Sequence, residues 1–204
     1  MSVEEWKVDI VCVGPEASGK TLLLQCLQHH QSQGALWDIG QIPAHIATVG
    51  SNFVTWDLKS APSSGKGNRK SKVEVTIDIQ EMGGQMAPIW HNSYAQCQAV
   101  MFVLDAANPF QTSAASCLLQ DCLAHPHLAH KHFLVVFAKT DIEGPVTITE
   151  LQNMIFYEQI LEEFSNTQAS IETIECSVIS GQGIENILTW ITELSTKKHL
   201  ELKS

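Results

Sequence analysis

Hydrophobic and polar positions follow two rhythms along this chain. Continuous apolar runs at residues 8–13, 99–104 and 133–137 suit strands buried on both faces, as in a parallel sheet. Residues 53–58 and 73–79 alternate instead. The second run is strict, with Val73, Val75, Ile77 and Ile79 on one face and Glu74, Thr76 and Asp78 on the other. These two segments are expected to pair as an antiparallel hairpin at a sheet edge. Residues 171–177 supply a last strand. Helical spacing governs residues 21–31, and it joins Leu151, Met154, Ile155, Ile160, Leu161 and Phe164 into one helical stretch. It returns in Ile184, Ile187, Leu188, Ile191 and Leu194, and helical patterns also follow the runs at 99–104 and 133–137. Strands and helices in this order predict an α/β fold. The expected core is a six-stranded, mostly parallel sheet with one antiparallel edge hairpin and helices on both faces.

At 204 residues, 44% hydrophobic and 17% charged, the chain has material for one core, so residues 1–204 are read as one domain without repeats. The six cysteines lie scattered, several inside apolar patterns, and no secretory signal precedes them. They read as reduced thiols of a cytoplasmic protein. No apolar run approaches a membrane span, and Ser2 stands where N-myristoylation needs glycine. Any membrane attachment is therefore expected to be peripheral, through partners, with no direct lipid anchor.

The net charge of −10 argues against a nucleic-acid role. Five of the twelve basic residues (Lys59, Lys66, Arg69, Lys70 and Lys72) fall in one Ser- and Gly-rich stretch, which reads as a flexible, solvated loop. Arg69 is the only arginine in the chain. Kinases of small metabolites clamp the transferred phosphoryl group with several guanidinium forks, so that class is disfavoured.

Candidate chemistry begins at Gly14-Pro15-Glu16-Ala17-Ser18-Gly19-Lys20-Thr21, which matches G-x-x-x-x-G-K-[ST] between an apolar strand and a helix. This is the context of a P-loop, the mark of the P-loop NTPase fold. Backbone N–H groups of Gly14, Glu16, Ala17, Ser18 and Gly19 are placed to wrap a β-phosphate at the helix N-terminus. Lys20 supplies a point charge for the β- and γ-phosphates, and the Thr21 hydroxyl can bind Mg²⁺.

Three further motifs follow in order. Thr48, in the polar segment before the hairpin, can offer its hydroxyl to Mg²⁺ and its N–H to a γ-phosphate. Glu81-Met82-Gly83-Gly84-Gln85 comes directly after the alternating strand. There Glu81 can hold a magnesium water, Gly84 can meet the γ-phosphate, and Gln85 can orient an attacking water as the catalytic residue. Phe137-Ala138-Lys139-Thr140-Asp141 closes a parallel strand. Asp141 can accept from both N1–H and the 2-amino group of guanine, and the Lys139 stem can lie across the base. Ser177 and Val178, ending the next strand, are placed to offer a backbone N–H to guanine O6.

In this order the motifs resemble the small GTPases of the ADP-ribosylation-factor-like branch over nearly the whole chain. Gly83-Gly84-Gln85 and Pro88-Ile89-Trp90 are similar to the second switch of that branch. The resemblance implies a small-GTPase-like fold, GTP or GDP with Mg²⁺ as ligands, and a monomeric switch regulating intracellular or ciliary trafficking. It also implies effector proteins, an exchange factor and an activating protein as partners. Two positions depart from the family pattern. Glu81 replaces aspartate, which puts the carboxylate one methylene further out. Ala138 replaces the asparagine of the guanine motif, and one lost bond in a desolvated pocket costs about 1 to 3 kcal/mol. With no arginine placed in cis, intrinsic hydrolysis is expected to be slow.

Two alternatives stand beside a cycling switch. An interaction scaffold that binds nucleotide without cycling draws on Ala138 and Glu81, whereas an ATP-dependent kinase has the single arginine and Asp141 against it. The run Cys122, His125, His127, His130 and His132 carries ligands that could take zinc or copper, but its spacing matches no closed structural site and it reads first as a polar helix-to-strand connection.

Overall fold

The computed structural model describes residues 4–37, 43, 48–59, 73–164 and 170–201. Most of the basic stretch, residues 60–72, lies outside them. The six predicted strands are present as β1 (Glu4–Val13), β2 (Ser51–Lys59), β3 (Val73–Met82), β4 (Ala99–Asp105), β5 (His132–Ala138) and β6 (Ile171–Cys176). They form one sheet in the order β2-β3-β1-β4-β5-β6. Only β2 and β3 pair antiparallel, with Val54 opposite Ile79. The other neighbours are parallel.

Alternation along these strands sorts side chains to two cores. Met101 and Val103 of β4, with Leu134 and Val136 of β5, meet α1 (Lys20–Gln33) through Leu23, Leu24 and Leu27. α5 (Ile184–Glu201) completes that layer with Ile187, Trp190 and Ile191. On the other face Val100, Phe102 and Leu104, with Phe133, Val135 and Phe137, meet α2 (Thr112–Leu123) through Ala115 and Leu119. Helices thus cover both faces, and every residue of β4 and β5 except Asp105 and His132 is buried. That double burial is why these segments read as unbroken apolar runs.

One helical stretch was expected through residues 151–164, and the structure divides it. α3 (Ile148–Met154) starts on a capping box between Thr147 and Glu150, and α4 (Tyr157–Phe164) begins after Phe156, whose φ is +60°. Leu151, Ile155 and Ile160 all reach the core. The step of five between Ile155 and Ile160 is too long for one helical face, and the bend at Phe156 absorbs it.

The Cys122 to His132 connection forms a short 3₁₀ turn at Pro126–Leu128. Cys122 is buried against the Tyr94 hydroxyl at 3.1 Å. No group of three or more His, Cys, Asp or Glu side chains placed to hold a metal ion occurs among the described residues. Five cysteines are buried thiols and Cys117 is exposed. Among the described residues, no helix is long and apolar enough to cross a membrane.

Candidate functional site

The carboxyl ends of β1, β3, β4 and β5 deliver Gly14, Glu81, Asp105 and Lys139 to one edge of the sheet, where open α/β sheets build their ligand crevices. A cavity of about 330 Å³ opens there. Its walls include Glu16, Ala17, Gly19, Lys20, Thr21, Thr48, Glu81, Gly84 and Lys139.

The loop between β1 and α1 folds around the Lys20 ammonium. Nζ donates to Gly14 O at 2.9 Å, to Pro15 O at 2.7 Å and to Ser18 Oγ at 3.4 Å. Lys20 is only 5% exposed, and burial pulls its pKa below the ordinary 10.5, although nearby Cys12, Glu81 and Glu16 act the other way. A buried cation held by neutral carbonyls is under-compensated, and an anionic ligand restores the balance. Ser18 is fully buried, while Glu16 and Ala17 are exposed at the rim.

Three oxygens meet beside that loop. The Thr21 hydroxyl donates to Glu81 Oε1, and the Thr48 hydroxyl donates to the same atom at 3.1 Å. The two hydroxyl oxygens are 2.8 Å apart. Glu81 is 1% exposed, and its other oxygen, Oε2, is buried without a hydrogen bond. A hard divalent cation fits this donor set, because carboxylate and hydroxyl oxygens are what Mg²⁺ takes and an orphaned carboxylate oxygen lacks a partner. The extra methylene of Glu81 lets it touch both threonines directly.

The loop after β3 is fixed by Trp90 of the Pro88-Ile89-Trp90 motif and by the backbone of Gly50. The Trp90 indole N–H donates to Gly83 O at 3.0 Å, from a 3₁₀ helix at Gly84–Ser93. Gly83 N–H is bonded to Gly50 O at 2.9 Å, so Gly84 remains as the backbone donor of the pair. Gln85 is exposed, and its amide donates to Glu16 Oε2 at 3.0 Å. It does not line the cavity.

On the base side, Lys139 has φ +65° and donates to Asp105 Oδ2 at 2.7 Å and to Ala17 O at 2.8 Å. It therefore ties the P-loop to β4 and β5. Asp105 was missed in the sequence; its signal was an acid ending a buried parallel strand. Gln111, also missed, donates to Glu16 O at 3.0 Å.

Asp141 is exposed, and its Oδ1 accepts from the Ser177 hydroxyl at 2.6 Å. Ser177 differs from expectation. Its backbone N–H is already bonded to Gln182 O at 3.0 Å, so it is not free to serve a base oxygen. Its contribution is the buried side chain, which orients Asp141 and accepts from the N–H groups of Ile179 and Ser180.

The profile of the ADP-ribosylation factor family matches residues 59–195. The chain belongs to that family. It is 32% identical over 179 residues to ADP-ribosylation factor-like protein 16 of Homo sapiens, covering 88% of this chain and 82% of that one. ADP-ribosylation factor-like protein 1 of Saccharomyces cerevisiae is 27% identical over 193 residues, covering 94% and 89%. In fold it is similar to the Arl6 BBS3 small GTPase of Trypanosoma brucei with the nucleotide analogue GppNp bound. That match has a TM-score of 0.66 at 20% identity and covers 94% of this chain and 98% of that one. As an ADP-ribosylation factor family member, the chain is a small GTPase and a nucleotide-binding switch, with GTP and GDP as its ligands.

Proposed function

We propose that this switch binds guanine nucleotide with Mg²⁺, changes its effector surface when a γ-phosphate is present, and hydrolyses GTP slowly until a partner assists. The observation that carries the reading is the meeting of Thr21, Thr48 and Glu81 beside a buried Lys20.

Lys20 and the N–H groups of Gly14, Glu16, Ala17, Ser18 and Gly19 hold the phosphates. Thr21, Thr48 and Glu81 hold Mg²⁺. The ion, when bound, neutralises charge on the phosphate oxygens. Because Thr48 lies in a loop and Gly84 follows a strand, gain or loss of a γ-phosphate acts on both segments together. Asp141, steadied by Ser177, reads the base; Lys139 covers it; Val178 meets O6. Gln85 orients the water. No arginine occurs among the described residues, so the charge that develops in hydrolysis is met by a group from an activating protein.

Effectors, an exchange factor and an activating protein are the partners this cycle needs. The family resemblance supports a cytoplasmic trafficking regulator, intracellular or ciliary, that reaches membranes through those partners. A non-cycling scaffold is favoured by one observation, the methyl group of Ala138 where the family pattern has an amide. It predicts equal effector binding in the GTP and GDP forms.

The test is an equilibrium titration of nucleotide-stripped protein with fluorescent GDP and a non-hydrolysable GTP analogue in Mg²⁺, competed with ATP. Submicromolar binding that ATP does not displace is expected. Asp141→Ala should lower guanine affinity about a hundredfold and leave adenine binding unchanged, because only guanine loses two donors' partner. Equal competition by ATP in the parent protein would remove the guanine assignment.

A further inference from the structure

Glu16 has a carboxylate that the phosphate, metal and base assignments do not use. Its backbone is fixed on one side, where Gln111 Nε2 donates to its carbonyl at 3.0 Å and Lys139 Nζ donates to the next carbonyl, Ala17 O, at 2.8 Å. On the other side the loop carrying Gln85 is pressed against it. A Cβ added to Gly84 would lie 2.2 Å from Glu16 N. Between these fixed segments the Gln85 amide meets Glu16 Oε2 at 3.0 Å.

The chemistry sets the direction of this bond. An ionised carboxylate only accepts, so the amide turns its NH₂ toward Glu16. Glu16 lines the nucleotide cavity and Gln85 does not. The residue suited to orient water is thus tethered at the rim by the one P-loop side chain that carries a negative charge. Resting on the switch reading above, we infer that Glu16 is a positioning residue that holds Gln85 outside the nucleotide cavity. Hydrolysis in the isolated protein then waits on breaking the Glu16–Gln85 bond. Both side chains are exposed, so the hold is modest. A charge-assisted bond at a solvated rim shifts such an equilibrium by about fivefold.

Two readouts test it. In ¹⁵N-labelled protein the Gln85 side-chain amide should show shifted, slowly exchanging protons that move to solvent-like positions in Glu16→Ala. This requires no catalysis. Single-turnover hydrolysis of preloaded GTP should then run about fivefold faster in Glu16→Ala than in the parent. Glu16→Gln, which keeps an acceptor without charge, should fall between. In a Gln85→Leu background the Glu16→Ala gain should vanish.

A Gln85 amide that does not move, or a rate unchanged or lowered in Glu16→Ala, overturns the inference. So does a gain that persists with Gln85→Leu, since it would arise from charge near the phosphates. Failure of the parent protein to bind GTP would sink the switch reading, and the amide resonance would still decide whether Glu16 holds Gln85.

Discussion

Replacing Lys20 with methionine should lower affinity for GDP and GTP by about a hundredfold or more while leaving the folded protein intact. The methionine keeps most of the apolar stem and removes the charge. Two charge-assisted bonds to phosphate oxygens are lost, each worth roughly 1.5 to 3 kcal/mol. The fold responds differently. The ammonium is buried against the carbonyls of Gly14 and Pro15 and the Ser18 hydroxyl, so its removal relieves a desolvated charge and deprives three acceptors of a donor. These effects oppose each other, and nucleotide-free stability should change little.

The same burial gives a pH signature. Because the folded-state pKa of Lys20 lies below its ordinary 10.5, the unfolded chain binds more protons in the interval between the two values. Stability of the nucleotide-free protein therefore rises with pH across that interval, and the Lys20→Met variant lacks this part of the rise. Urea denaturation at a series of alkaline pH values measures both. A variant that binds GDP with parental affinity would show that the ammonium does not hold the phosphates.

Local rhythm made much of this fold readable. Val100 to Leu104 and Phe133 to Phe137 are buried on both faces, and burial on both faces leaves an unbroken apolar run in the sequence. The β2–β3 hairpin was readable for the opposite reason, since its strict alternation leaves one face to water. The division at Phe156 was hidden because Leu151, Ile155 and Ile160 are all apolar and all buried, and only the spacing between the last two betrays it.

The site divides in the same way. Lys20, Thr21 and Asp141 belong to short contiguous motifs in which spacing alone carries the chemistry. Asp105 and Gln111 act through contacts between distant segments, to Lys139 and Glu16. No local pattern announces such a contact. Ser177 was found for its backbone and acts through its hydroxyl, because Gln182 takes its N–H.

Gly14→Ala should destabilise the protein by about 3 kcal/mol or more and abolish nucleotide binding with it. Two costs coincide at this position. Gly14 has φ +143°, a conformation that L side chains rarely adopt, and an added Cβ would lie 2.0 Å from the Val103 carbonyl oxygen. Val103 cannot give way. It sits fully buried in β4, in register with Val136 of β5, between strands packed on both faces. The loop must move instead, and with it the Gly14 carbonyl that accepts from Lys20. Gly34→Ala separates the two costs, for Gly34 has φ +70° and open space around its Cβ position. It should lose only the conformational part, about 1 kcal/mol. For a chain of this size each kcal/mol is worth about 2 to 4 °C in Tm, so the two variants should differ by several degrees in thermal unfolding. Equal losses at the two positions would mean that neither the close approach to β4 nor the more extreme φ of Gly14 adds to the cost.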